Sequence, residues 1–264
     1  MNTTNRPIKA LFISDLHLRP EQPAVAEAFF DFLDQQAIHA EALYILGDLF
    51  EAWWGDDNPD PLPRRIIAAL KQLSQRGVAL YFIHGNRDFT IGKRFSEETG
   101  CTLLSDAHQI DINGKRILLM HGDTLCSDDI SYQKYRRIIR KPLLLRLLGK
   151  LPQKIRRNIA EKGRAKSQQS NNNKAEYIMD VNAETVKQQF VEHSADIMIH
   201  GHTHRPGRHA IELSDTKGNI KGNTKSVERI VLGDWTEQQG WLATLTDAGD
   251  VALESFVIHP GEQP

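Results

Sequence analysis

The feature that most constrains the fold is a repeated pairing of a short apolar run with polar side chains directly after it. Five such runs lie at residues 10–13, 42–46, 78–83, 117–120 and 197–199. Their length and their content of β-branched and aromatic residues predict buried strands. The side chains that follow them are Asp15 and His17, Asp48, Asn86 with Arg87 and Asp88, His121 with Asp123, and His202 with His204. Because the carboxyl ends of strands in an α/β sheet form a ligand-binding crevice, we expect these groups to converge.

Helical periodicity lies between the strands, at residues 23–36 and 64–76. A further strand is predicted at 229–232, and the pair 241–246 and 251–258 reads as a closing hairpin. Residues 214–227, which are rich in Gly, Asn, Lys and Thr, are predicted to form a mobile surface loop. This alternation predicts an α/β architecture with helices covering the sheet.

Composition bounds the class of protein. A chain of 264 residues with 40% hydrophobic and 25% charged residues is typical of one sizeable soluble domain, or of one domain with an insertion. Its net charge of −1 gives no overall attraction to nucleic acid or to anionic lipid. The two cysteines favour a reducing compartment, and the sequence shows neither a signal peptide nor a membrane-spanning run. We therefore expect a cytoplasmic protein that could still lie on a membrane surface.

One segment departs from the average. Residues 134–174 contain fourteen Lys or Arg and a single acidic residue, Glu161, which gives a local charge of +13. Leucines and isoleucines are interleaved with these charges, and Pro142 and Pro152 divide the segment into short helices. We predict a basic, amphipathic helical cap at 134–174, inserted into a core made of residues 1–133 and 175–264. Such a cap could bind phosphate groups and an apolar ligand, or its leucines could simply pack on the core.

The donors at the strand ends suit a metal. Asp15 and His17 are two residues apart, as are His202 and His204, so extended backbone would place each pair on one side. Carboxylate, imidazole and amide ligands suit manganese, iron or zinc, and the lack of thiolates argues against a structural zinc site. A single Asp or His at a strand end is more often a core or capping group. Five strand ends with the same pattern make that interpretation improbable.

The motifs resemble those of the calcineurin-like metallophosphoesterases, namely D-x-H, G-D, G-N-H-D, H and G-H-x-H in this order. The resemblance implies two packed β-sheets flanked by helices, and two metals. One metal would be held by Asp15, His17, bridging Asp48 and His204, and the other by Asp48, Asn86, His121 and His202. The implied reaction is in-line attack on phosphorus by a hydroxide held between the metals, with Asp48, Asn86, Arg87 and His121 as catalytic residues.

Arg87 stands where most members of that family have histidine. A guanidinium stays protonated and cannot act as a general acid near neutral pH, but it can bind two phosphate oxygens. We infer a substrate whose leaving group needs no proton, such as a phosphoanhydride. The alternative is that Arg87 only pairs with Asp88 or another nearby carboxylate.

Within the family, the chain is similar to the pyrophosphatases of lipid A biosynthesis, in stretches such as YFIHGNRDF, HGDTLCSDD and IHGHTHRP. That resemblance implies UDP-2,3-diacylglucosamine as substrate, cleaved to 2,3-diacylglucosamine 1-phosphate and UMP, and two Mn²⁺ per chain. It also implies a location at the cytoplasmic face of the inner membrane. We expect a monomer. The substrate-binding residues that it implies are Asn86, Arg87, Asp129, Ser167, Asn171, Lys174 and His202.

Two other functions stay open from the sequence. A phosphodiesterase or nuclease of the same class could use the basic cap to hold a phosphate backbone, although Tyr135 is the only aromatic residue in 134–174. A membrane-surface scaffold with a structural metal site is a second alternative. We expect no nucleic acid partner.

Overall fold

The predicted strands and helices form close to the places that the apolar pattern indicates. The computed structural model describes residues 8–172, 180–214 and 224–259. Its strands are β1 (Ile8–Ile13), β2 (Ala40–Ile45), β3 (Ala79–Phe82), β4 (Thr102–Leu103), β5 (Ala107–Ile112), β6 (Lys115–Met120), β7 (Ile197–His200), β8 (Gly207–Ser214), β9 (Thr224–Val231), β10 (Gln239–Leu245) and β11 (Val251–Val257). Its α-helices are α1 (Pro23–Gln35), α2 (Pro61–Gln75), α3 (Lys93–Thr99), α4 (Ile130–Ile139), α5 (Pro142–Gly149), α6 (Gln153–Asn172) and α7 (Ala183–Glu192).

Two sheets carry the fold, as the family resemblance implies. The first has the order β11-β10-β1-β2-β3-β4, in which β1, β2, β3 and β4 are parallel, and the second has the order β5-β6-β7-β9-β8. Strand β1 shows how both faces of the first sheet are covered. Leu11 and Ile13 pack on the side of α1 and α2, whereas Ala10 and Phe12 pack toward the second sheet. Because successive side chains of a strand point to opposite faces, an almost continuous apolar run is what such a doubly covered strand requires.

The apolar cores define the layers. One core joins the first sheet to α1 and α2, and another fills the space between the two sheets. A third packs the outer face of the second sheet against α7 through Val186 and Phe190. The prediction of an α/β fold with two sheets flanked by helices is confirmed.

Several elements escaped the sequence analysis. The edge strands β5 and β8 have the sequences AHQIDI and GRHAIELS, and polar side chains weaken their apolar signal. The prediction of a loop over 214–227 was wrong at both ends, because Ser214 ends β8 and Thr224 begins β9, and these two residues are paired in the antiparallel register. Backbone hydrogen bonds of the sheet override the low strand propensity of these residues. The closing hairpin is confirmed as the antiparallel pair β10–β11.

The basic segment forms three consecutive helices, α4, α5 and α6, which we call the cap helices. Pro142 occupies the first turn of α5, where its missing N–H costs nothing. The first cap helix begins at Ile130, with the Asp129 carboxylate accepting from Tyr132 N, four residues before the predicted boundary at 134. Among the described residues, no helix has the length and apolar character needed to cross a bilayer. The division into core and cap stays a prediction.

Candidate metal centre

The seven predicted metal ligands meet at the carboxyl ends of five strands. Asp15 and His17 follow β1, Asp48 follows β2, Asn86 follows β3, His121 follows β6, and His202 and His204 follow β7. The first three strands belong to one sheet and the last two to the other. The site therefore lies where the ends of both sheets come together.

One group of donors is formed by Asp15, His17 and His204. The two imidazoles face each other, with their Nε2 atoms 3.2 Å apart. Asp15 Oδ1 lies 3.3 Å from His204 Nε2 and 3.9 Å from His17 Nε2. Burial by itself lowers the pKa of His204, but the adjacent Asp15 carboxylate raises it to about 9. Three nitrogen and oxygen donors thus point at one common position.

The other donors gather around the Asn86 amide oxygen. Asn86 Oδ1 lies 3.0 Å from His121 Nε2 and 2.9 Å from His202 Nδ1. The second ring nitrogen of His121 is fixed by Leu46 O at 2.8 Å. Asp48 Oδ2 is 3.9 Å from His121 Nε2. Burial, followed by the nearby His121, lowers the pKa of His202 to about 4, so its ring is neutral at pH 7.

A carboxylate connects the two clusters. Asp15 belongs both to the group with His17 and His204 and to a second group with Asp48 and His121. The family resemblance instead gives the bridging position to Asp48, and that assignment stays a prediction. Asp15 Oδ2 accepts from Ser14 Oγ at 2.6 Å and from His202 N at 2.8 Å, which leaves Oδ1 facing the donors.

The backbone at these ligands differs from the expectation. Extended backbone was predicted to align Asp15 with His17 and His202 with His204, but all four residues have positive φ, at 56°, 49°, 69° and 54°. Asp48 also has a positive φ, of 52°. This conformation is uncommon for residues other than glycine, and it persists only where the surrounding structure imposes it. As a consequence, His202 and His204 serve different clusters and do not point to the same side.

Two glycines beside the predicted ligands are required by close approach. A Cβ atom at Gly85 would lie 2.1 Å from Asp48 Oδ1, and one at Gly201 would lie 2.1 Å from Asp15 Oδ2. Both distances are well inside van der Waals contact, so any side chain at these positions would displace a predicted ligand. Glycine is needed here because the backbone passes directly beside a carboxylate.

The donor set fits a divalent cation. Asp15 Oδ1 is buried and has no hydrogen-bond partner among the described residues. A buried carboxylate oxygen without a donor is costly, and a cation would satisfy it. Imidazole, carboxylate and amide oxygen together suit a first-row divalent metal.

The predicted substrate residues are placed unevenly. Arg87 lies beside this site, where its backbone N donates to Asp48 Oδ1 at 2.8 Å. Its neighbour Asp88 does not pair with it, because its carboxylate accepts from Leu49 N and Gly85 N. Burial and the nearby Asp48 raise the pKa of Asp88 to about 7.

The remaining predicted substrate residues belong to the cap. Asp129 caps α4, and Ser167 and Asn171 fall in the last turns of α6, where the description covers the backbone alone. Lys174 lies outside the described residues. Their contact with substrate stays a prediction.

Two carboxylates behind the histidines were missed by the sequence analysis. Glu51 Oε2 lies 3.3 Å from His17 Nδ1, and Asp234 Oδ2 lies 3.5 Å from His204 Nδ1. Carboxylates in this position commonly orient metal-binding imidazoles. Asp234 could have been found, because it follows β9 as Gly-Asp in the same way that Asp48 follows β2. Glu51 has no such signal.

Comparison with known proteins gives a family match and two relatives of similar length. The family model described as calcineurin-like phosphoesterase matches residues 8–206. A UDP-2,3-diacylglucosamine hydrolase of Yersinia pseudotuberculosis is 48% identical over 94% of this chain and 99% of its own length. That of Serratia proteamaculans is 50% identical over 94% of this chain and 100% of its own length. The structure of an archaeal phosphodiesterase covers 94% of this chain and 100% of that one, with a TM-score of 0.45 and 13% identity. The family match and the two relatives extend over the strand ends that carry the donors, and the chain belongs to the calcineurin-like phosphoesterase family.

Proposed function

We propose that this chain hydrolyses the pyrophosphate bond of UDP-2,3-diacylglucosamine, giving 2,3-diacylglucosamine 1-phosphate and UMP. The observation that carries the proposal is the site itself, in which seven donors from five strand ends form two adjacent clusters with Arg87 beside them. The similarity to UDP-2,3-diacylglucosamine hydrolases over nearly the whole chain supports the choice of substrate.

Membership of the family implies divalent-metal binding, and the two donor groups fit it. We assign two Mn²⁺ ions to the site, one with Asp15, His17, Asp48 and His204 and one with Asp48, Asn86, His121 and His202. When bound, such ions lower the pKa of water and neutralise charge on phosphoryl oxygens.

Arg87 is suited to bind the phosphate of the leaving group. Its guanidinium is 18% exposed, and its Nε has no hydrogen-bond partner among the described residues. The contact with Glu51, at 3.8 Å from Arg87 NH1, is too long to occupy its donors. Arg87 can therefore donate to phosphate oxygens. If Arg87 only paired with a carboxylate, its donors would be occupied and it could not do so.

The bond changes follow from an anhydride substrate. Water adds to the phosphorus next to uridine, the bridging P–O bond breaks, and the lipid phosphate leaves with that bond's electron pair. The proton from water passes to solvent, because a phosphate leaving group is stable as an anion. No acid is needed at the leaving oxygen, and a permanently protonated arginine is sufficient there.

The cap helices supply an apolar and basic surface. Leu143 is 69% exposed, Leu147 is 53% exposed and Ile138 is 56% exposed. We propose that this surface meets the acyl chains and the cytoplasmic face of the inner membrane, where the monomeric chain binds peripherally. Apolar residues next to basic ones suit the boundary between headgroups and acyl chains.

Membrane contact is testable with vesicles that contain anionic lipid. Leu144→Asp with Leu147→Asp should reduce co-sedimentation, whereas Val257→Asp should not, because Val257 is more exposed, at 68%, than Leu147, at 53%, but lies on β11. Equal co-sedimentation of all three proteins would contradict the membrane proposal. Light scattering of the same proteins without vesicles would test whether the chain is monomeric.

A nuclease is the less favoured function, because the similar proteins named above are UDP-2,3-diacylglucosamine hydrolases. The decisive experiment is hydrolysis of UDP-2,3-diacylglucosamine with Mn²⁺ in water enriched in oxygen-18, followed by mass analysis of both products. Label in UMP supports attack at the phosphorus next to uridine. Label in the lipid phosphate alone would mean that the substrate binds in the opposite orientation, and it would contradict the role given to Arg87. Absence of turnover would refute the proposed substrate.

A further inference from the structure

Glu51 is a buried carboxylate that lies between two loops of the metal centre. Its side chain is 9% exposed. The segment that carries it is paired with the loop after β1, where Leu18 forms a bridge with Phe50 and Glu51 N donates to Leu18 O at 3.3 Å. Two residues later, Trp53 N donates to Arg87 O at 3.2 Å. The backbone thus fixes Glu51 between the loop of His17 and the loop of Arg87.

One carboxylate oxygen of Glu51 faces the metal ligands. Oε2 lies 3.3 Å from His17 Nδ1, an ion-pair contact without hydrogen-bond geometry, and 3.8 Å from Arg19 NH1. The opposite nitrogen of the same imidazole, Nε2, points at His204 Nε2. A carboxylate behind a metal-binding imidazole fixes the orientation of the ring and increases its basicity.

The other oxygen of Glu51 faces the substrate side. Oε1 lies 2.5 Å from Arg164 Nε and 3.8 Å from Arg87 NH1. Arg164 belongs to α6, so this contact crosses from the core to the cap. Burial would raise the pKa of Glu51, but His17, Arg87 and Arg164 hold it below its ordinary value, and the carboxylate is charged at pH 7.

Stability alone does not account for this arrangement. A buried carboxylate must be desolvated, and well-packed apolar residues often stabilise a fold as much or more. Three guanidinium groups around one carboxylate leave a local excess of positive charge, which suits an anionic ligand and not a closed ion pair.

We propose that Glu51 is a positioning residue with two roles: its Oε2 holds the His17 ring at the metal centre, and its Oε1 pairs with Arg164 of α6 and attracts Arg87 from 3.8 Å, without occupying its donors, at the place of the pyrophosphate. The part that concerns Arg87 and Arg164 rests on the proposed function, whereas the part that concerns His17 does not. The cap helix α6 is thereby connected to the metal centre through one side chain.

The test compares Glu51→Gln and Glu51→Ala with a control, Glu27→Gln. Glu27 also pairs with an arginine, Arg65, but both side chains are more than half exposed. Mn²⁺ affinity is measured by calorimetry on the metal-depleted full chain, together with KM and kcat for UDP-2,3-diacylglucosamine. We expect both Glu51 variants to lose about 10- to 100-fold in Mn²⁺ affinity. We also expect KM to rise, and we expect the control to match the wild-type chain in both measurements.

Arg164→Met separates the two halves of the proposal. It removes the partner of Oε1 only, so KM should rise while Mn²⁺ affinity stays at the wild-type value. Wild-type Mn²⁺ affinity in Glu51→Gln would overturn the positioning of His17. An unchanged KM in both Glu51→Gln and Arg164→Met would overturn the substrate half.

A variant that does not fold, or a wrong choice of substrate, can be told apart from a failure of the Glu51 proposal. If Glu51→Ala does not fold, Glu51→Gln decides, because it keeps the volume and one acceptor oxygen. A Glu51→Gln chain that also fails to fold would show that the carboxylate serves the fold, and would overturn the proposal. If the wild-type chain does not cleave the lipid, the proposed function fails, and the Mn²⁺ measurement still tests Glu51.

Discussion

The attachment of the first cap helix to the core should depend on one buried ion pair. Asp123 is 2% exposed and accepts from Arg136 Nε at 2.6 Å and from the Tyr132 hydroxyl at 2.5 Å. Both donors lie on α4, whereas Asp123 follows His121 at the end of β6. Tyr132 also stacks on His202, with ring centroids 6.3 Å apart. We predict that Asp123→Asn will destabilise the protein and loosen α4 over the metal centre.

The magnitude follows from the burial of both partners. Removing one partner of a buried pair costs about 3–5 kcal/mol of unfolding free energy. Arg136 keeps a second carboxylate, Asp106, at 2.8 Å, so we expect the lower value, about 3 kcal/mol. In a chain of this size that corresponds to a fall in Tm of roughly 6–12 °C.

The assay is thermal and urea unfolding of Asp123→Asn beside a matched control, Asp106→Asn. Asp106 contacts the same arginine at 2.8 Å and Arg140 at 2.9 Å, and Arg140 also lies 3.6 Å from Asp123, but Asp106 is 48% exposed. Solvent screens such a pair, and its loss should cost less than about 1 kcal/mol. The two variants therefore separate burial from the mere presence of an ion pair. Equal destabilisation by both variants, or a Tm change below about 3 °C for Asp123→Asn, would refute the reasoning.

Three further predictions concern the site and the core. Asp48→Asn should keep the fold, as judged by circular dichroism, but its kcat should fall by more than about 100-fold. Replacing even a group behind a metal ligand commonly lowers activity by about 10- to 100-fold. Wild-type turnover would contradict the ligand assignment. Chelation should lower Tm, and Mn²⁺ at about 100 times its Kd should restore roughly 2.7 kcal/mol of stability; a Tm indifferent to metal would speak against a metal centre. Phe82→Ala should lower the free energy of unfolding, measured in urea, by about 3–5 kcal/mol, because Phe82 is fully buried under α2 and α3 and its removal leaves a cavity. A loss below about 1 kcal/mol would mean that the surrounding side chains fill this cavity.

The predictable part of the fold and the site is the part that local sequence encodes. Strands such as β1 and β2 are apolar on both faces, so their position is visible in any short window. Edge strands such as β5 have one solvated face, and their pairing partners lie in other parts of the chain, so a local pattern does not reveal them. The same holds for Glu51, whose neighbours His17, Arg87 and Arg164 are distant in sequence.

The sequence by itself determined the positions of the buried strands and the kind of donor at each of their ends, because a buried strand needs an apolar run and a metal needs oxygen and imidazole. Only the tertiary structure decided how these donors are shared. It placed His202 beside Asn86 and His204 beside Asp15, and it imposed positive φ on both histidines. Such a conformation is unfavourable in an isolated peptide and exists only where surrounding contacts hold it. The geometry of the site is therefore a property of the folded sheets, whereas the types of donor atom in it follow from the sequence alone.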